Sequence, residues 1–452
     1  MLSIKQQLDF PLYDVIVIGG GPAGSTAAGL LAEKGWSVCV LEKDRHPRFH
    51  IGESLLPMNL PIFERLGVID QVKDIGVKKN AAEFNAPDTR RPIDTFYFGE
   101  SLTDNPSYAY QVLRADLDWL LLDNARKKGA IVIEQITVSE VELAGDPKRV
   151  QATDAEGNRV QFECRFLVDA SGRDSFLATK LNLKRKNKKH RSAAIFRHYR
   201  NVKRRTGGDS GNISIYWIEH GWIWLIPLQN DIMSIGAVLN PDYLKTRQSS
   251  LDDFLWTTLN QVPDIHERLE HAHPAGATGA AANYSYTASR MVGDGYLLIG
   301  DAFAFIDPVF SSGVFLAMQS AELGSEVVDM ILRRPELTTR AVKNFERKIH
   351  IHLQSFSWFI YRFNHYAMRQ LLMHNPGIHA SQHFRKVKAA VISVFSGKSH
   401  RHRRLRLPLL IFRVNYYVLN AIDYCKRLAA FSLARSRIDA SNAASLKDRP
   451  GL

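Results

Sequence analysis

From Tyr13 to Ile18 the chain is a compact run rich in β-branched apolar residues, and a second run, Ser37 to Leu41, ends on Glu42. Short apolar strands of this kind are buried on both faces, as in a parallel sheet. An Ala-rich segment reaching about Lys34 lies between them, so the first 42 residues predict strand, helix, strand. Residues 85–109 and about 190–285 differ: Ser214 to Glu219, Trp222 to Leu228 and Met233 to Leu239 alternate or run apolar between turn signals, predicting antiparallel strands with few long helices. In the run Trp222-Ile-Trp-Leu-Ile-Pro227, alternation puts Trp222, Trp224 and Ile226 on one face and Ile223 and Leu225 on the other. Taken alone, this is an ordinary core strand. A short strand, Gly295 to Gly300, leads into Asp301, a helix is predicted from about Ser312 to Arg333, and the remainder reads as helical, with an aromatic-rich stretch from Phe356 to Tyr366.

Charge divides the chain unevenly. The net +13 is concentrated in residues 341–452, where 20 lysines and arginines face four acids, leaving the rest of the chain slightly acidic. Such a region suits an acidic carrier protein, an anionic membrane surface or nucleic acid. The densest cluster, Lys398 to Arg406, has no interleaved aromatics, so nucleic acid is not expected. Leu405 to Leu419 is apolar and flanked by arginines, which fits either a surface-lying helix or a core helix. Three dispersed cysteines, Cys39, Cys164 and Cys425, support neither a disulfide framework nor a metal site. Together with an N-terminus that lacks a secretory apolar core and the lack of any uninterrupted apolar run of about 18 residues, this predicts a cytoplasmic protein without a transmembrane segment.

The sharpest chemistry begins at Gly19-Gly-Gly-Pro-Ala-Gly24. Between strand and helix, Gly19 makes the tight turn, Gly21 lets the backbone approach a pyrophosphate, and Gly24 allows close packing of the helix on the sheet, with Ala23 in the same turn. Glu42, 18 residues beyond Gly24, would meet the adenosine ribose at the end of the second strand, and the adjacent Lys43 joins the expected cofactor-binding residues. Asp301 suits a ribityl chain, and with Gln111 to Arg114, Asp118 and Val168 to Arg173 it completes a set of turns resembling the FAD-dependent aromatic monooxygenase superfamily. FAD is therefore the expected cofactor.

Several separate motifs then carry a narrower resemblance: the glycine fingerprint, Gly52-Glu-Ser-Leu-Leu-Pro57, Lys79, the Trp222 to Pro227 run, and Asp307-Pro-Val-Phe-Ser-Ser-Gly313. Over roughly residues 13–330 the chain resembles the flavin-dependent halogenases. The resemblance implies that reduced FAD arrives from a separate flavin reductase, that oxygen and halide yield a hypohalous acid, and that the oxidant is guided to an aromatic carbon. It assigns Lys79 to that guidance, either by hydrogen bonding the hypohalous acid or by forming a haloamine if burial lowers its pKa. Lys79-Asn-Ala-Ala-Glu-Phe84 matches the family's pattern except that Ala81 replaces its usual glycine. Trp222 and Trp224 become walls that keep substrate from the flavin, Glu53, Ser54, Arg114, Pro308, Gly313 and Val314 join the FAD contacts, and the amides of Ser312 and Gly313 at a helix N-terminus become the halide site. Phe310 stands where tryptophan halogenases carry a glutamate. The chain therefore looks closer to members acting on phenols, pyrroles or other small aromatics, some of them held on acidic carrier proteins.

The expected fold class is α/β: a Rossmann-like FAD-binding domain (1–84, 110–185 and 286–335) with an inserted antiparallel substrate sheet (85–109 and 186–285) and a basic helical C-terminal region (336–452). Two rivals share this frame. One is an aromatic hydroxylase or a dehydrogenase resembling geranylgeranyl reductases; the other is a non-catalytic flavoprotein that docks through its basic tail on a partner or membrane. Chloride versus bromide, the base that deprotonates the ring, the substrate and the oligomeric state are not legible, and none of the 16 histidines stands out.

Overall fold

The computed structural model describes residues 12–86, 93–373 and 382–447. The expectation for the extreme N-terminus, and the parts of the substrate-sheet and C-terminal expectations that fall on 87–92, 374–381 and 448–452, lie outside the described residues.

The apolar runs pair as their burial demands. Tyr13–Ile18 is flanked by Val38–Glu42 and Arg159–Asp169, and the sheet continues to Ile131–Glu134 on one side and Tyr296–Leu298 on the other, every one of these pairings parallel. The helices Pro22–Glu33 and Gly313–Arg333 pack together on it. Gly24 sits where a Cβ would overlap the Gly19 carbonyl oxygen, so the first helix approaches its strand closely. Gly19 itself turns with φ of +99°.

A second, nine-stranded sheet runs in the order Ala304–Phe305, Gly279–Ala288, Lys184–Arg200, Ile232–Leu239, Gly221–Pro227, Ile213–Ile218, Ala81–Asn85, Ile93–Tyr97, with His273–Pro274 attached to Lys184–Arg200. Its tryptophan strand has the expected two-faced character. Trp222, Trp224 and Ile226 join the main core, while Ile223 and Leu225 join a second core on the far face. That far face is closed by helices Leu251–Asn260 and Pro263–Arg268, inside a stretch whose alternation had predicted mainly strands. Ser250 explains the first of these, since its hydroxyl accepts from the Asp253 amide and caps the helix start.

Two features of this sheet depart from expectation. Ala81–Asn85, expected within the FAD-binding part up to residue 84, pairs with Ile213–Ile218, and that pairing is parallel in an otherwise antiparallel sheet. The cause is a crossing at Lys79 and Asn80. Gly76–Lys79 pairs with Ala109–Val112 in a separate two-stranded ribbon, and the next residues enter the large sheet. Asn212 fixes the crossing, its side-chain oxygen accepting from the amides of Asn80 (3.0 Å) and Ala81 (2.8 Å).

The C-terminal helices Thr338–Ile360, Tyr366–Leu372, Gln382–Phe395 and Arg406–Lys447 pack against this body. Among the described residues no helix is long and apolar enough to cross a membrane. Cys39 and Cys164 are buried and Cys425 is exposed; all three are free.

Candidate active site

Lys79 ends the Gly76–Lys79 strand and is only 1% exposed, whereas neighbouring Lys78 points to the outside over the Tyr108 ring. Its ammonium nitrogen donates to Ser54 Oγ (2.9 Å) and to the Leu55 carbonyl (3.0 Å), and lies 5.2 Å from the centre of the Phe98 ring. Both acceptors are uncharged. Burial without a counter-charge pushes the Lys79 pKa down to about 7. The same Gly52-Glu-Ser turn sends Glu53 elsewhere: its fully buried carboxylate holds His198 Nε2 at 2.7 Å through one oxygen, while the other has no partner. His198 and Phe49, which packs edge-on to it at 5.6 Å, had no sequence motif to announce them.

Around the glycine turn, Glu42 accepts from the amides of Gly20 (2.5 Å) and Asp44 (2.8 Å), which fixes its carboxylate at the end of the strand. Lys43 is exposed and ion-paired with Asp174. Arg114 grips Asp118 in a two-bond fork (2.8 and 2.9 Å) and reaches the Ile51 carbonyl. Arg48, another residue the sequence did not single out, adds a third bond to Asp118. Asp301 follows Gly300, which packs against Ala23, and burial pushes its carboxyl up to about 6 against the pull of Arg173 and Arg114.

The helix beginning at Gly313 presents its N-terminus beside the Asp307 to Ser312 turn. The Ser312 hydroxyl makes no capping bond; it is buried without a partner. Nothing lies within 4 Å of a Cβ built on Gly313, and Val314 is buried while Pro308 is exposed. Phe310 stacks on Phe395 at 4.2 Å and meets Phe363 edge-on at 5.4 Å, so an aromatic cluster fills its surroundings.

Trp222 lines a cavity of about 330 Å³ together with Asp307, Val309, Phe363, Ser192 and His220. Trp224, 5.8 Å from Trp222, packs instead toward Phe196 and donates to Ser234; Gly236 makes room, since a Cβ there would overlap the Trp224 ring. Asp307 accepts from Ser192 (2.9 Å) and from the Val309 amide (3.3 Å), and burial pushes its pKa up to about 6. A carboxylate on the cavity wall was not among the expected catalytic residues; its motif points to the halide site and the FAD contacts. Lys79 is not part of this lining.

The donor set suits an extended dinucleotide. No atom lies nearer than 3.9 Å to a Cβ built on Gly21, and that atom belongs to the Arg48 guanidinium. Open glycine edges at Gly21 and Gly313, a helix N-terminus at each, and the unpaired oxygens of Glu53 and Ser312 are groups that a phosphate- and hydroxyl-rich ligand satisfies.

Comparison with known proteins agrees. The FAD binding domain family matches residues 12–331. The chain is 34% identical over 325 residues to a 1H-pyrrole-2-carbonyl peptidyl-carrier-protein brominase of Pseudoalteromonas luteoviolacea, covering 71% of this chain and 78% of that protein. It is 35% identical over 326 residues to a tryptophan 2-halogenase of Chondromyces crocatus, covering 70% and 61%. Among solved structures, a flavoprotein/dehydrogenase from Cytophaga hutchinsonii superposes with a TM-score of 0.83 at 27% identity, covering 91% of this chain and all of that one. An oxidoreductase fold with an FAD fingerprint and halogenase relatives across some 70% of its length places this chain in the flavin-dependent halogenase family, which uses FAD and halide.

Proposed function

We propose that this chain is a two-component halogenase that places chloride or bromide on an electron-rich small aromatic of the phenol, pyrrole or indole type, free or carrier-bound. The observation that carries the reading is Lys79: a buried lysine with two neutral acceptors and a pKa near 7 is costly to keep for packing alone. FAD, bound along Gly19 to Gly24, Glu42, Arg48, Arg114 and Asp301 and reduced by a separate flavin reductase, supplies the electrons for converting O2, halide and a proton to hypohalous acid and one water. The amides of Ser312 and Gly313 hold the halide at the helix N-terminus. Lys79 receives the oxidant, its proton shared with Ser54 and Leu55. Trp222 bars the arene from the flavin side. At the ring, a carbon–halogen bond forms as the halogen–oxygen bond breaks; the departing ring proton passes to Asp307 on the cavity wall, and hydroxide with that proton's equivalent gives a second water.

Phe310 supports a small aromatic over free tryptophan, because it fills its surroundings with Phe363 and Phe395 and offers no carboxylate to an amino-acid substrate. The pyrrole-carrier relative and the basic C-terminal region support a carrier-bound option.

The test is to supply the protein with FAD, a flavin reductase, NADH and chloride or bromide, and to search indoles, phenols and pyrroles, free and as carrier thioesters, for halogenated mass shifts. Hydroxylated products alone would overturn the reading. The likeness to a flavoprotein/dehydrogenase favours one rival; oxidation of NAD(P)H by this polypeptide alone, independent of halide, would establish it.

A further inference from the structure

Up to Leu428, the last helix, Arg406–Lys447, is apolar on two opposite sides. Leu405, just before it, and Leu409, Phe412 and Tyr416 are buried against the body. At 100° per residue the other side carries Leu407, Leu410, Ile411, Val414, Val418 and Ile422, large side chains all exposed, with Leu407 at 66% and Leu410 at 56%. Tyr417, Tyr424 and Leu428 extend the strip, which spans roughly 32 Å from 407 to 428. An apolar strip of this size in open water requires a cover.

Charge identifies the cover. At the strip's N-terminal end a cavity of about 380 Å³ is lined by His400, Arg401, Arg406 and Arg413 with Leu409 and Leu410, so the strip's own Leu410 forms part of the pocket wall. Among the described residues no carboxylate lies within ion-pairing distance of Arg401, Arg406 or Arg413. Burial and the nearby Arg413 and Arg401 hold the His400 pKa low, which is what a pocket already crowded with positive charge produces. Exposed Arg403 and Arg404 flank it, and Lys426 and Arg427 stand at the far end. A second copy would meet this strip with positive charge at both ends in either orientation. An acidic protein would satisfy the arginines but faces a narrow, convex, one-helix ridge of aliphatic side chains. An anionic lipid surface satisfies both, because acyl chains receive the ridge, tyrosines suit the boundary, and a headgroup phosphate fits the arginine pocket.

We propose that this helix lies in the plane of an anionic phospholipid membrane, with the His400, Arg401, Arg406 and Arg413 pocket taking a lipid phosphate. The buried face of the same helix, opposite the docked one, adjoins the cavity wall. His365 Nδ1 lies 2.6 Å from the Tyr416 hydroxyl, and Ile360, Phe363 and Asn364 of the same stretch line the cavity that contains Trp222. The inference concerns a surface and stands whether or not the catalytic reading holds.

Sedimentation of the FAD-loaded protein with phosphatidylglycerol vesicles and with phosphatidylcholine vesicles tests it. The protein should pellet with the former, weakly with the latter, and less as salt rises. Leu410→Glu with Val414→Glu, on exposed positions, should lower the bound fraction by about tenfold or more while bound FAD is retained. Arg401→Gln with Arg406→Gln should lower binding to phosphatidylglycerol only. Failure to pellet with phosphatidylglycerol vesicles overturns the proposal, as does a stable dimer in light scattering that Val414→Glu dissociates, or an acidic carrier protein that binds the ridge in place of vesicles.

Discussion

Lys79 is held by Ser54: the lysine nitrogen donates to the serine hydroxyl at 2.9 Å, across 25 residues, and Ser54 itself bridges to Gln111 on the strand that pairs with the strand of Lys79. Through this bond, the turn that also orients Glu53 positions the lysine, and the lysine has no carboxylate to stabilise its charge. Replacing Lys79 with Met should lower halogenation by about 10²-fold or more, the scale of a positioned proton-transfer group, with FAD still bound. Product analysis by mass spectrometry alongside flavin absorbance checks this; retained halogenation removes Lys79 from the chemistry.

The same residue makes stability depend on pH. Its pKa falls from 10.5 to about 7 on folding because burial disfavours the charged form. Between these values the unfolded chain binds a proton that the folded chain does not, so this group's contribution improves as pH rises from 7 to 10.5, and its full cost is present below 7. Lys79→Met should therefore melt above wild type at pH 6, with the difference shrinking toward pH 10. A pH-independent difference would mean that the lysine is not desolvated.

Turnover should also distinguish the two roles open to the amine. A nucleophilic, neutral Lys79 requires activity to rise as pH crosses about 7, while a hydrogen-bonding ammonium requires it to fall. We expect the fall, since breaking a halogen–oxygen bond at the ring needs the charged lysine to hold the hypohalous acid, and single-turnover halogen transfer measured from pH 6 to 8.5 reads it directly.

Asp307 should contribute a separate acidic limb. Its pKa is pushed up to about 6 by burial, so it accepts a proton only above that pH. Asp307→Asn should cut kcat by about 10²-fold and abolish the limb near pH 6, leaving substrate KM nearly unchanged. A variant that loses KM and keeps the limb would assign Asp307 to binding.

Trp222→Ala should widen the cavity. Truncating a buried indole costs about 3–5 kcal/mol of stability, readable as a lowered Tm. If Trp222 is the barrier, the variant should also release hydroxylated arene in the presence of halide; a product profile identical to wild type would leave Trp222 as packing alone.

Much of this was legible because it is local. The strand, glycine turn, helix, strand and acid up to Glu42 lie in one continuous stretch, and the two faces of Trp222 to Pro227 follow from a period of two. The parallel pairing of Ala81–Asn85 with Ile213–Ile218 was not legible, because it joins segments some 130 residues apart through the Asn212 side chain. Asp307 and the Glu53 to His198 contact were hidden for the same reason: the motif names the residue, but the partner comes from a distant strand. The helices over 251–268 were masked by short length, with only local cues such as Ser250 before the first and Pro263 at the start of the second.

The crossing that Asn212 fixes gives the molecule a ruler. Phe84 pairs with Ile215 and Ile215 with Trp224, so the strand that begins just after Lys79 is bonded to the tryptophan strand through a single intervening one. Neighbouring strands stand roughly 4.8 Å apart, and no loop interrupts the span. Lysine and tryptophans are therefore coupled by backbone hydrogen bonds, so their separation resists thermal motion, and the site of attack on a ring depends on how the ring rests against a fixed frame.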